Sequence, residues 1–213
     1  MDNQTAYWNG AAATKVFTHP LDEEQFLRLV PRHARILDFG CGYGRTCSQL
    51  DRLGYVQVMG VDTAAKMIER GRREYPHLDL RTLGAAHPPW EADVFDAVLL
   101  LAVLTCIPSD TGQKALMAEL KRILRPGGIL YLSDYWLQTD RRNHQRYERF
   151  QDKYGRYGIF ELPEGVVVRH HDRDWIRQLL ADFAPLSLAD REVTTMNGHA
   201  TSGFQYFGRK KET

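Results

Sequence analysis

Short apolar runs alternate with longer runs in which apolar residues recur every three or four positions, from residue 34 to residue 136. The short runs predict strands, and the longer periodic runs predict amphipathic helices. Strands and helices that alternate in this way are typical of a parallel sheet with helices on both faces. We expect strands at 34–39, 56–62, 78–83, 94–104 and 129–136, and helices at 45–54, 64–75 and 109–128.

The pattern changes after Trp136. Residues 137–163 are polar, aromatic and basic, and they lack the regularity of another strand–helix unit, although 139–154 would also suit a solvated helix. A short strand at 165–170 and a helix at 173–183 follow. Two more strand-like runs lie near 186–196 and 203–209, and the Asn197-Gly198 pair between them predicts a hairpin turn.

Composition and charge narrow the class of protein. The fractions of 43% hydrophobic and 26% charged residues are those of a globular domain, and 213 residues suffice for one core. No apolar run reaches the ~18 residues of a membrane span, and the start of the chain does not resemble a secretory signal. We therefore expect a single cytoplasmic domain without membrane contact.

The net charge and the cysteines exclude further classes. The formal net charge is +1, with no basic stripe, so no nucleic-acid partner is expected. The three cysteines, Cys41, Cys47 and Cys106, have no C-x-x-C spacing. They predict reduced thiols and no metal site.

The segment "RILDFGCGYGR" (35–45) contains the first candidate chemistry. Glycines at 40, 42 and 44 follow a predicted strand and precede a predicted helix, which would expose backbone N–H groups to a ligand. We expect that Cβ atoms at these positions would keep the ligand away. Asp38 would repel a phosphate and attract an ammonium or sulfonium group. Asp62 ends the next strand, where an acid can accept hydrogen bonds from ribose hydroxyls.

Residues 34 to about 136 resemble the class I methyltransferases that use S-adenosylmethionine. "LDFGCGYG" is similar to their first motif, "VMGVD" to their ribose-binding strand end, and "FDAVLLLAVL" to their fourth strand. "LKRILRPGGILYLSD" is similar to their following helix, turn and fifth strand. The resemblance implies an α/β fold: a Rossmann-like, doubly wound, seven-stranded sheet that is mostly parallel with an antiparallel last strand.

The resemblance also implies which residues bind the cofactor. Asp38 and the glycines would hold its methionine portion, and Asp62 its ribose. No acid precedes Glu91 after the third strand, so the adenine would rest on backbone groups. The N-terminal segment 1–20 would cover the cofactor as a lid. The candidate cofactor-binding residues are Asp38, Gly40, Gly42, Gly44, Asp62, Thr63, Met67, Gly84, Ala85, Tyr7 and Trp8.

The acceptor is expected to meet the insertion 137–171, which follows the fifth strand and is rich in Arg, His and Tyr. Candidate catalytic residues are His144, Tyr157, Arg169 and His170, and His171 or Asp134 are further candidate bases. The place after the fourth strand reads "LLAVLTCIP" and lacks the Asn/Asp-Pro-Pro-Tyr motif of nucleic-acid amino methylases. This favours transfer to O, N or S of a small molecule, with a protein or RNA acceptor as an alternative.

Two other classes of function remain open. A dinucleotide-dependent oxidoreductase shares the loop and Asp62, but Arg45 stands where its G-x-G-x-x-G fingerprint needs glycine or alanine. The other class is a non-catalytic binding module that kept the fold. The intact residues Asp38, Gly40, Gly42, Gly44 and Asp62 count against it, and failure to bind the cofactor would favour it.

Overall fold

The computed structural model describes residues 4–84 and 90–211. Its strands are β1 (Arg35–Phe39), β2 (Gln57–Asp62), β3 (Asp79–Thr82), β4 (Phe95–Leu101), β5 (Leu124–Tyr135), β6 (Ile159–Glu161), β7 (Val167–Arg169), β8 (Phe183–Thr194) and β9 (Ala200–Lys210). Its helices are α1 (Thr5–Ala11), α2 (Glu23–Leu29), α3 (Arg45–Arg52), α4 (Ala65–Glu74), α5 (Asp110–Ile123), α6 (Arg141–Tyr154) and α7 (Arg173–Leu179).

Seven of the described strands form one sheet in the order β3-β2-β1-β4-β5-β9-β8. Neighbouring strands from β3 to β5 pair in parallel, whereas β9 pairs antiparallel with both β5 and β8. This confirms the predicted fold class. The chain winds outward from β1 to β3 and then returns to the other side of β1, so the carboxyl ends of β1 and β4 flank the point where ligands bind in such sheets.

The sheet is buried on both faces because successive side chains of a strand point in opposite directions. Ile36 packs with Phe26 and Leu50 from the helices of one face, whereas Leu37 belongs to the cluster of Leu116 and Trp175 on the other. The two layers hold the strand ends rigidly, which is what a site at those ends requires.

Several predicted boundaries differ from the structure; the helix expected at 173–183, for example, ends at Leu179, and Phe183 already begins β8. The fourth strand was expected to continue to residue 104, but it ends at Leu101, and Leu104–Cys106 form a 3-10 turn. The following helix ends at Ile123 and not at residue 128. Leu124 already pairs with Phe95 in the sheet, and residues 125–128 stand outside the paired register.

The insertion 137–171 is more regular than its composition suggested. Asp140 caps α6 by accepting a hydrogen bond from the Asn143 N–H, and Gly155 ends the helix with φ +64°. β6 and β7 then form a separate two-stranded antiparallel sheet. The insertion is therefore a helix followed by a hairpin.

Arg169 fastens this hairpin to the rest of the domain. Its side chain is 1% exposed and donates to Pro108 O at 2.9 Å and to Asp110 Oδ1 at 2.7 Å. The guanidinium also lies over the Trp175 ring, 4.8 Å from its centroid. These contacts give Arg169 a structural role instead of the catalytic role that the sequence suggested.

We expect Arg169→Met to lower the free energy of unfolding by roughly 2–4 kcal/mol, because charge-assisted hydrogen bonds and a buried ion pair are lost. Urea denaturation measures this. Arg177→Met is the control, since that side chain is 75% exposed and should change stability little. Equal stability of the two variants would contradict the role of Arg169.

Candidate active site

A cavity of about 840 Å³ lies at the carboxyl edge of the sheet. Asp38 from β1, Asp62 from β2 and Leu101 from β4 reach its wall from the strand ends. A volume of this order accommodates a small molecule or a cofactor. The cavity thus lies where the strand order predicts a ligand.

The glycine loop between β1 and α3 needs glycine for its backbone shape. Gly40, Gly42 and Gly44 have φ of +77°, +57° and +82°, the left-handed region that side chains disfavour. The expected reason for the glycines needs correction: their Cβ positions face other side chains of the protein. A Cβ on Gly40 would lie 2.5 Å from Val103, and one on Gly42 would lie 1.9 Å from Phe17.

Of the three glycines, Gly40 lines the cavity, whereas Gly42 and Gly44 are absent from its wall. A Cβ on Gly44 would lie 2.8 Å from Leu80. The second and third glycines therefore allow tight packing beneath the loop. Only the first presents its backbone directly to the cavity.

Asp62 holds the loop in place. Its Oδ2 accepts from the Gly42 N–H at 2.9 Å, and its Oδ1 accepts from the Ala64 N–H at 2.8 Å. Burial raises the pKa of Asp62, and these N–H groups oppose the rise. Each oxygen keeps a second lone pair. The carboxylate can therefore bridge the loop and α4 while it faces a ligand.

Asp38 is the most unusual charge in the site. Its side chain is buried, at 2% exposure, and its polar contact is the Cys47 thiol, with Sγ 3.4 Å from Oδ2. Burial raises the pKa of Asp38 to about 6. No ion pair neutralises it within the described ranges, although it lines the cavity. A cationic ligand group, such as the ammonium of a methionine portion, would compensate this buried carboxylate.

The residues expected near the adenine lie together. Thr63, Met67 and Gly84 all line the cavity beside Asp62. Ala85 lies outside the described residues. This part of the wall is continuous with the glycine loop.

The N-terminal segment (residues 4–20) spans the cavity. At one end Gln4 pairs with the backbone of Val167, its Oε1 accepting from N and its Nε2 donating to O, each at 2.6 Å. At the other end Arg70 of α4 donates to Ala12 O at 3.1 Å and to Lys15 O at 2.7 Å. The segment therefore connects the β6–β7 hairpin to α4.

Aromatic packing fixes the same segment to the glycine loop. Phe17 stacks on Tyr43 with ring centroids 5.2 Å apart, and Trp8 contacts Phe17 edge-on at 6.1 Å. The guanidinium of Arg70 lies over the Tyr43 ring, 3.8 Å from its centroid. Tyr7 and Trp8 line the cavity, the position that a covering lid requires.

The other candidate catalytic residues occupy different places. His170 lines the cavity. His144 and Tyr157 are absent from its wall and bond to each other, Tyr157 Oη lying 2.7 Å from His144 Nδ1. His171 and Asp134 are buried, 3.6 Å apart, and neither lines the cavity. Of the candidate catalytic residues, the structure therefore brings only His170 to the cavity wall.

The hydrogen bonds around His170 identify its tautomer. Tyr147 Oη lies 2.6 Å from His170 Nδ1 and accepts from the Gln138 N–H at 3.1 Å. Among the described residues the Tyr147 hydroxyl has no other acceptor, so its proton goes to Nδ1. The proton of neutral His170 then sits on Nε2. Burial lowers the pKa of His170 to about 3, so it stays neutral and acts as a donor.

His19 lies in the segment 1–20 that was expected to form a lid, and no sequence pattern predicted a chemical role for it. Ser133 Oγ donates to Phe204 O at 2.7 Å and must therefore accept from His19 Nε2–H, 2.6 Å away. Burial lowers the pKa of His19 to about 4, so the ring is neutral. His19 Nδ1 is buried without a hydrogen-bond partner among the residues that the structure describes. His19 lines the cavity as a rigid neutral group.

Sequence reasoning also placed the last hairpin outside the site. The turn between β8 and β9 brings Thr195, Met196, Asn197 and His199 to the cavity wall. The predicted topology contained a signal for the position of this turn. If β9 is antiparallel to both β5 and β8, then β8 must run parallel to β5. The end of β8 then lies at the same edge as the carboxyl ends of the parallel strands.

Within residues 4–84 and 90–211, no group of three or more His, Cys, Asp or Glu side chains could hold a metal ion. The helices of these two ranges are all too short or too polar to cross a bilayer.

Comparisons with known proteins agree with this geometry. Residues 37–132 match the family model described as a methyltransferase domain. The chain is 33% identical over 149 residues to human (Homo sapiens) methyltransferase-like protein 27, covering 68% of this chain and 57% of that protein. It is 33% identical over 115 residues to a ubiquinone biosynthesis O-methyltransferase of Xanthomonas axonopodis pv. citri (strain 306), covering 50% and 45%. The chain thus spans about half the length of these curated relatives.

A solved structure shows the same fold over nearly the whole chain. A SAM-dependent methyltransferase of Methanosarcina mazei superposes with a TM-score of 0.85 at 22% identity, covering 91% of this chain and 99% of that one. The family model, the curated relatives and the seven-stranded sheet with its acidic glycine loop agree. The chain therefore belongs to the class I S-adenosylmethionine-dependent methyltransferase family.

Proposed function

We propose that this protein transfers a methyl group from S-adenosylmethionine to an O, N or S atom of a small-molecule acceptor. The observation that carries the proposal is a single continuous cavity. Its wall includes the acidic glycine loop at one side and α6 with the β6–β7 hairpin at the other. A methyl donor and an acceptor can therefore meet without solvent between them.

The protein's contribution is the alignment of the two reactants. Asp38 would hold the cationic methionine portion of the cofactor, and Asp62 its ribose. Thr63, Met67 and Gly84 would contact the adenine. When bound, the cofactor supplies a methyl group on an activated sulfonium leaving group. Holding an acceptor in line with such a group is worth effective molarities of ~10⁵ to 10⁸ M in well-oriented systems.

The covering of the cavity supports a small acceptor. The N-terminal segment crosses it and is tied on both sides, by Gln4 to the β6–β7 hairpin and by Arg70 to α4. A folded protein or a nucleic acid would have to displace this segment to reach the loop. The name of the Xanthomonas relative, an O-methyltransferase of ubiquinone biosynthesis, also favours a small molecule. A cytoplasmic location remains our prediction.

The proposal is tested by incubating the protein with radiolabelled S-adenosylmethionine and fractionated metabolite extracts. We expect label to move to a small molecule. Asp62→Ala should weaken cofactor binding by roughly 1.5–3 kcal/mol, because a charged partner of the ribose is lost. Asp79→Ala, at an exposed acid of β3, is the control. Label that appears only on added protein or RNA would contradict a small-molecule acceptor.

Asp38 makes cofactor binding depend on pH. In the free protein the pKa of Asp38 is raised to about 6, so its protonated form stabilises the fold. This contribution to stability is complete below the ordinary pKa of 3.8 and is lost as the pH rises through 6. Only the ionised form attracts an ammonium group. We expect the affinity for S-adenosylhomocysteine to fall roughly tenfold from about pH 7 to about pH 5.

Calorimetric titration at several pH values measures this change, with Asp38→Asn as the control. The variant should bind more weakly than the native protein at neutral pH, and its affinity should change far less with pH. A native profile that is flat over this range would remove Asp38 from the ammonium site.

A further inference from the structure

Two arginines on one side of α6 face the cavity without a partner acid. Arg142 and Arg146 lie one helical turn apart and both line the cavity. Neither forms an ion pair with any residue in 4–84 or 90–211. Asp140, the nearby acid, uses its two carboxylate oxygens to accept from the Asn143 backbone and side-chain N–H groups. The charge of Asp140 still acts on both arginines, so one acid stands against two cations and this side of α6 keeps a net positive charge.

The surroundings make the charge of Arg146 costly to keep without an anion beside it. Desolvation lowers the pKa of Arg146, and the charge of Arg142 lowers it further. Arg146 stacks over Phe160, 5.1 Å from the ring centroid, and donates to Asn143 Oδ1 at 3.3 Å. These contacts orient the guanidinium without neutralising it. An anion between the two arginines would remove their mutual repulsion.

Other charged side chains of the acceptor side already have partners. Lys15 and Glu164 pair with each other at 3.6 Å across the cavity rim. This pair contributes no net charge to the wall. The arginines of α6 are therefore the charges without an ion-pair partner that this helix presents to an acceptor.

His170 adds a neutral donor on the same side. Arg146 and His170 both pack on the Phe160 ring, the guanidinium 5.1 Å and the imidazole 5.0 Å from the ring centroid. With Tyr147 bound to Nδ1, the Nε2–H of His170 has no partner among the described residues. A guanidinium pair and an imidazole N–H are suited to an oxygen anion.

The wall beside these groups is apolar. The β6–β7 hairpin contributes Phe160, Leu162, Val166 and Val168 to the cavity. A ligand that fills this space needs a hydrocarbon or aromatic body next to its anionic end.

We propose that the acceptor is an organic acid with an apolar body, whose carboxylate is bound by Arg142, Arg146 and the Nε2–H of His170. This inference rests on the proposed methyltransferase function and specifies its substrate class. A phosphate monoester shares part of this chemistry, and its doubly charged, tetrahedral head distinguishes it in a binding test.

The test uses the full chain saturated with S-adenosylhomocysteine. Octanoate and cinnamate are titrated by calorimetry beside their amides, octanamide and cinnamamide, and beside octyl phosphate. We expect at least one acid to bind tenfold or more tightly than its amide, because a charge-assisted contact is lost in the amide. Arg142→Gln and Arg146→Gln should each weaken that acid tenfold or more.

Arg149→Gln is the matched control, since Arg149 is an exposed arginine of the same helix that does not line the cavity. It should bind the acid like the native protein. Because Arg142 is exposed, its variant should fold, and unchanged binding of S-adenosylhomocysteine checks this in every variant.

Acids and amides that bind equally, or arginine variants that bind the acid normally, would overturn the inference while leaving the methyltransferase function intact. If octyl phosphate binds more tightly than every acid and depends on the same arginines, the group that these arginines bind is a phosphate and not a carboxylate. Failure of the native chain to bind S-adenosylhomocysteine would overturn the proposed function and this inference together.

Discussion

The carboxylate of Asp62 is the contact on which the site depends. It joins three parts of the chain, because it belongs to the end of β2 and accepts from the N–H groups of Gly42 in the glycine loop and Ala64 before α4. The backbone oxygen of Val61 reinforces the connection by accepting from the Gly40 and Cys41 N–H groups. The left-handed backbone of the loop is thus held by hydrogen bonds before any ligand arrives. Binding then costs little reorganisation.

The N-terminal segment (residues 4–20) packs directly on the glycine loop. Phe17 occupies the space that a side chain at position 42 would need. The glycines therefore matter to the contact between the loop and the N-terminal segment as much as to a cofactor. Loop, segment and β6–β7 hairpin form a connected enclosure. Because these parts are connected, we expect a change in the N-terminal segment to affect both the cofactor side and the acceptor side of the cavity.

The regular part of the fold was readable from the sequence because its signals are local. Apolar runs and the Asn197-Gly198 turn placed the strands and helices within a few residues, and the seven-stranded sheet is confirmed. Boundaries failed where long-range pairing overrides local preference, as at Leu124, which leaves the helix to pair with Phe95.

The acceptor side was less predictable. Its residues come from segments far apart in the chain, so composition alone could not separate Arg146, at the cavity, from Arg169, which is buried in an ion pair. Likewise, the tautomer of His170 follows from Tyr147 and Gln138, and no sequence pattern encodes that chain of hydrogen bonds. The cofactor side was easier because one short motif contains Asp38 and the three glycines of the loop.

The central claim is that the cavity is built for a cationic methyl donor and not for a dinucleotide. The most direct measurement is a calorimetric comparison of S-adenosylhomocysteine with NAD on the native chain at neutral pH. A buried, largely ionised Asp38 beside the loop should attract the ammonium group of the first ligand and repel the pyrophosphate of the second. We expect saturable binding of S-adenosylhomocysteine and no detectable binding of NAD. Tighter binding of NAD would contradict the account.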